Sequence, residues 1–215
     1  MAPFLMLFLI SIFLFIFPPI PAFQCPTTVH GADFIRNSCN TTMYPGVCVA
    51  VLSPYAAAVG TNLSSLALIA ISFSLNHTSQ LAANLSAAEA PSRAPTPARS
   101  AAGPLTTWRT DSVSPESALH DCVTTIKDAV SLLRDSREQL LQAPAKRGAP
   151  EFTEIMGNVK TWMSAALTNE DTCMDGFTGV PAGRLEFNLS DLMAQAEKYT
   201  GIALALVNHY ADHNK

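Results

Sequence analysis

Five cysteines and five histidines are the side chains of this 215-residue chain best suited to cross-linking, metal binding or nucleophilic chemistry. The cysteines are Cys25, Cys39, Cys48, Cys122 and Cys173; none stands in a CxxC spacing, so the ligand pattern of a structural zinc site is missing and disulfides are the chemistry that fits. His209 and His213 lie four apart, a spacing that would put two imidazoles on one helical face, as in a two-histidine metal site. No third ligand accompanies them, and near the chain end they read as exposed side chains of a frayed helix. His30, His77 and His120 are isolated in the sequence. There is no G-x-S-x-G, no HExxH and no glycine-rich phosphate loop. An enzyme needs an activated group, and none of these patterns supplies one. The expectation is a protein without catalytic, metal or cofactor residues. Asp171 and Asp175, beside Cys173, fit the polarity of a helix end and turn. Trp162 is expected in a core, and Trp108 falls in irregular chain with no assigned role.

Cysteines cross-link only what the surrounding elements bring together, and the elements here are helical. At about 100° per residue, Phe152, Ile155, Met156, Val159, Trp162, Met163, Ala166 and Cys173 fall within an arc of about 120°. Ala118, Cys122, Ile126, Ala129, Leu132, Leu133, Ser136 and Leu140 span about 120°, and Leu189, Leu192, Met193, Ala196, Tyr199, Ala203, Leu204, Val207 and Tyr210 span about 140°. A helix over 62 to 86 is less clean: Leu63, Ala67, Ala70, Ile71, Ser74, Thr78, Leu81 and Leu85 make one face, while Leu66, Ile69 and Phe73 lie off it. Those three are expected to receive the short N-terminal helices rather than to form an exposed patch. Ser114-Pro115-Glu116 supplies a cap and a proline at the first helical position. Gly148-Ala149-Pro150 and Gly176 to Gly183 separate the later helices, and Ser190-Asp191 is expected to open the last one. Upstream, two short helices at about 31 to 38 and 47 to 58 flank the Tyr44-Pro45-Gly46 turn. The predicted fold is all-α: an N-terminal helical hairpin at 26 to 58, then an up-and-down four-helix bundle over 62 to 211.

Sequence alone leaves the cysteine connectivity open. The helix reading narrows it. Cys39 and Cys48 sit on the two arms of the short hairpin, and closing that loop would contribute roughly 2–3 kcal/mol. Cys122 lies near the start of the second long helix and Cys173 at the end of the third, ends that meet in antiparallel neighbours. That longer loop would contribute roughly 4 kcal/mol. Cys25 is left over, and three fates stay open for it: a free thiol, a bridge between molecules, or removal with a leader.

FLMLFLISIFLFIF, residues 4 to 17, is an apolar block followed by Pro18, Pro19 and Pro21. It is short for a membrane span and suits a signal-peptide core over residues 1 to 22, with cleavage expected after Ala22, although no Lys or Arg precedes it. The net charge of −4 stays with the mature chain and argues against nucleic acid or anionic membrane as partner. Sequons at Asn40, Asn62, Asn76, Asn84 and Asn188 agree with export and make these asparagines candidate glycan carriers. APSRAPTPARSAAGP, residues 90 to 104, has almost no large apolar side chains and is expected to be a flexible insertion.

ADFIRNSCNTTMYPGVCVAVLSPYA, ALHDCVTTIKDAVSLL and GNVKTWMSAALTNEDTCMDGF together resemble the plant invertase/pectin methylesterase inhibitor family, and within it the pectin methylesterase inhibitor branch and the related secreted 21 kDa-type proteins. The resemblance runs from about residue 31 to 211, interrupted by the Pro/Ala-rich segment. It implies the same hairpin-plus-bundle fold, with disulfides Cys39–Cys48 and Cys122–Cys173. It also implies a secreted inhibitor of the apoplast, a monomer on its own, that meets pectin methylesterase in a one-to-one complex: its helices would cover the pectin-binding cleft and exclude the polymer without reacting. Carboxylates and histidines at such a contact would make the complex pH-dependent. The alternative partner is an invertase, although the Pro-Lys-Phe triplet expected of that branch is absent. A cell-wall protein that keeps the scaffold without inhibiting is the third reading.

Overall fold

The computed structural model describes residues 26–90, 114–143, 150–178 and 184–213. The expected leader, Cys25, Trp108 and all but the first residue of the Pro/Ala-rich segment lie outside the described residues. Every regular element among the described residues is helical.

Helix α1 (Pro26–Cys39) and helix α2 (Pro45–Leu52) form the N-terminal hairpin. Pro45 stands in the first turn of α2, where a missing N–H costs nothing. A second proline, Pro54, then interrupts the helical ladder, so the chain passes through a 3₁₀ turn (Ser53–Tyr55) and one further α-helical turn (Ala56–Val59). Gly31 of α1 is buried so closely against Ala56 that a Cβ there would run into its carbonyl oxygen. Gly60, at φ 54°, ends the segment in the left-handed region open to glycine.

Four long helices follow: α3 (Leu63–Glu89), α4 (Pro115–Leu141), α5 (Pro150–Asp175) and α6 (Arg184–Asp212). Asn62 caps α3, its side-chain oxygen accepting from the N–H groups of Ser64 (2.8 Å) and Ser65 (3.2 Å). Ser114 caps α4 by accepting from the N–H of Ser117 at 3.1 Å, with Pro115 and Glu116 in the first turn. Each long helix packs on the next, and α6 closes the ring on α3. Buried positions recur at alternating intervals of four and three: Phe152, Met156, Val159, Met163, Ala166, Glu170 and Cys173 on α5, and Leu119, Cys122, Ile126, Ala129, Leu133, Ser136 and Leu140 on α4. That is the seam spacing of helices packed at shallow angles, so the bundle is up-and-down.

The hairpin caps one end of this bundle. Ile35, Cys39, Cys48, Leu52, Ala56 and Val59 share an apolar cluster with Leu66, Ile71, Leu133, Met163 and Leu206. Lys198 of α6 stands over the Tyr44 ring at 5.2 Å, tying the hairpin turn to the bundle wall. A second cluster occupies the far end, from Leu81 and Leu85 across Cys122 and Ile126 to Met193 and Ala196.

Several sequence expectations shift. The last helix begins at Arg184, not at Ser190-Asp191, because Arg, Leu and Glu at 184 to 186 are strong helix formers and a local cap signal yields to them. Leu192, expected inside, is exposed, while Ile202 and Leu206, outside the predicted stripe, are buried. Leu66 and Ile69 do join the hairpin-side cluster, but Phe73 packs edge-on against Tyr199 of α6, ring centroids 5.0 Å apart.

Candidate functional site

Both disulfides are formed. Cys39–Cys48 bridges the hairpin arms with Cα atoms 5.6 Å apart, and Cys122–Cys173 joins the start of α4 to the end of α5 with Cα atoms 4.3 Å apart. All four cysteines are buried, and the Met193 thioether packs against the sulfurs of the second bridge. Antiparallel neighbours bring those helix ends together, as the stripe geometry requires.

The segment WMSAALTNEDTC, residues 162 to 173, does more than deliver Cys173 to its partner. Met163, Ala166 and Cys173 enter the core, and the slot between the last two is filled by Glu170, only 1% exposed. Its Oε1 accepts hydrogen bonds from the hydroxyls of Thr78 on α3 and Thr200 on α6, each at 2.9 Å. Thr200 Oγ1 lies 2.7 Å from Ser74 Oγ; since Thr200 gives its proton to Glu170, Ser74 donates to it. Oε2 is buried with no partner. Burial pushes the carboxyl pKa up to about 7, against the two hydroxyl donors, which pull it down. Reasoning from the stripe passed over Glu170 because charged residues are rarely buried. The four-three interval that places Ala166 and Cys173 nevertheless points to position 170. Trp162 is half-buried rather than central, since the helix turns Met163 inward instead.

The histidines are less isolated than their spacing suggested. His77 sits half-buried between Phe73 and Tyr199, centroids 4.7 Å and 4.6 Å away, and burial lowers its pKa. His120 Nδ1 lies 2.6 Å from Oε1 of the buried Glu89, joining α4 to α3. His209 and His213 do share a face; His213 Nδ1–H donates to the His209 carbonyl at 2.9 Å, and burial, then the neighbouring imidazole, lower the His209 pKa. His30 is exposed. Among the described residues no group of three or more His, Cys, Asp or Glu could hold a metal ion. Asp171 and Asp175 are exposed at the end of α5.

Asn40, Asn62, Asn76 and Asn84 are all exposed; the backbone at Asn188 is helical, within α6. Of the large exposed apolar residues, Val29, Met43, Tyr44 and Tyr55 belong to the hairpin segment, Met43 being 88% exposed, and Leu141 and Leu192 lie on α4 and α6. No helix among the described residues is long and apolar enough to cross a membrane. What the described residues present is helical surface, cross-linked by two disulfides and capped by the hairpin.

That combination defines the architecture: a disulfide-locked helical bundle under a helical hairpin. The chain belongs to the plant invertase/pectin methylesterase inhibitor family, whose description matches residues 33–206. It is 37% identical to "Pectinesterase inhibitor 10" of Arabidopsis thaliana over 83% of this chain; the chain spans 51% of that relative's length. It is 33% identical to a "21 kDa protein" of Daucus carota over 85% of this chain and 86% of the relative. Among solved structures it resembles a crystal structure of a mutant form of a pectin methylesterase inhibitor from Arabidopsis, with TM-score 0.56 and 19% identity, covering 79% of this chain and 92% of that one. At that identity the structural likeness speaks for the fold.

Proposed function

We propose that the protein is an extracellular inhibitor of pectin methylesterase. The observation that carries this reading is the match to relatives named pectinesterase inhibitors at 31–37% identity over most of the chain. A bundle stiffened by two disulfides suits inhibition by shape: helices laid over the enzyme's pectin-binding cleft in a one-to-one complex would exclude the polymer, with no bond made or broken. The expected signal peptide would deliver the chain to the cell wall, and glycans on the exposed sequons would suit it to that compartment. Asn62 can carry one while capping α3, because its Oδ1 makes the cap and a glycan attaches through the amide nitrogen.

The test is titration of the purified, oxidised protein against a panel of plant pectin methylesterases, with methanol release as readout. Inhibition that saturates at one inhibitor per enzyme supports the proposal. Full activity across the panel between about pH 5 and pH 7 would refute it. A parallel sucrose-hydrolysis assay distinguishes an invertase target, the other half of the family's description.

A further inference from the structure

The apolar core of the bundle comes in two pieces, and an ionisable side chain sits where they meet. The hairpin-side cluster ends at Ile71 on α3, Ala166 on α5 and Ile202 on α6; the far cluster starts at Leu81, Cys173 and Ala196 on the same helices. Ser74, Thr78, Glu170 and Thr200 fill these three gaps, all buried. The hydroxyls of Thr78 and Thr200 converge on one carboxyl oxygen, and the other has no partner. Ionised, the carboxylate would bury a charge with one oxygen undonated; protonated on Oε2, it leaves an unpaired but neutral O–H, which costs far less to bury.

The surroundings favour the neutral form. From α6, Glu197 repels a second negative charge; on α3, His77 precedes Thr78 in the chain and is held between the Phe73 and Tyr199 rings. At this level α4 contributes the buried Ile126 and Ala129, with Lys127 and Asp128 turned to solvent, and Asp171 on α5 itself is exposed.

We propose that this layer is a proton-operated lock on the bundle. In acidic surroundings Glu170 keeps its proton and the two half-cores close around a neutral side chain. Near neutrality the carboxyl O–H gives its proton to water, a charge appears in the seam, and α3, α5 and α6 loosen there. The lock is a property of the free protein and does not rest on what the protein inhibits.

Because the folded pKa of Glu170, about 7, exceeds its unfolded value, the folded state holds more protons between the two. The stabilisation is full below the unfolded pKa and is lost as pH rises through about 7. His77 and His209, with lowered folded pKa values, act in the opposite sense, so the comparison must be made against Glu170→Gln, which keeps an acceptor for both threonines but cannot ionise. Urea unfolding of the full chain and of E170Q at about pH 5 and about pH 8 reads the effect. The unfolding constant of the native sequence should rise about 70-fold more than that of the variant between those pH values. Parallel profiles would overturn the proposal. Should E170Q fail to fold, the ¹³C carboxyl resonance of Glu170 in the native protein decides: titration near neutrality supports the lock, and a carboxylate already ionised at about pH 5 refutes it.

Discussion

The two disulfides invite a quantitative comparison because they differ in loop length and hardly at all in burial. Cys39–Cys48 closes a separation of 9 residues and Cys122–Cys173 one of 51, while all four cysteines are at most 1% exposed. Loop entropy predicts a loss of ~2.6 kcal/mol for the first bridge and ~4.1 kcal/mol for the second. Alanine is the replacement to use, since serine would bury an unpaired hydroxyl. With a urea slope of about 2 kcal/mol per molar, Cys39→Ala/Cys48→Ala should lower the denaturation midpoint by about 1.3 M and Cys122→Ala/Cys173→Ala by about 2 M. Lost packing would be similar in the two pairs and would not separate them. Equal midpoints, or a larger loss at the hairpin, would show that native contacts rather than loop closure set the contribution of these bridges.

Three further outcomes are expected. Gly31→Ala should force the hairpin arms apart at the Ala56 carbonyl and cost about 1–3 kcal/mol, whereas Gly157→Ala, in open space on α5, should stabilise by about 0.4–1 kcal/mol; thermal melts of both variants check the contrast. Ser114→Ala removes the cap of α4 and should cost ~1 kcal/mol by chemical denaturation, with amide exchange quickened at Ser117. Thr78→Val removes one donor to Glu170. It should cost about 0.5–1.5 kcal/mol at acidic pH, where the acceptor is neutral, and about 1.5–3 kcal/mol above neutrality, where it is charged, as read from urea midpoints at the two pH values.

Much of the fold is legible in the amino-acid order because it is written locally. Periodic apolar positions mark the four long helices, Ser114-Pro115 marks the start of one of them and Pro45 the start of the short hairpin helix α2, and Cys122 and Cys173 fall on stripes that antiparallel neighbours must bring together. Those signals need only the pitch of a helix. The rotation of each helix about its own axis, and the partner it meets, depend on the packed whole. For that reason Leu192 and Trp162 sit nearer to solvent than their stripes suggest, Phe73 finds Tyr199 instead of the hairpin, and His120 finds Glu89. Glu170 is the clearest case. Its type argues for solvent and its interval for the core; the hydroxyls of Thr78 and Thr200, 92 and 30 residues away, decide for the core. Hydrogen bonds between distant helices exist only after the chain has folded, so local order determined the helices and tertiary packing determined the polar seam between them.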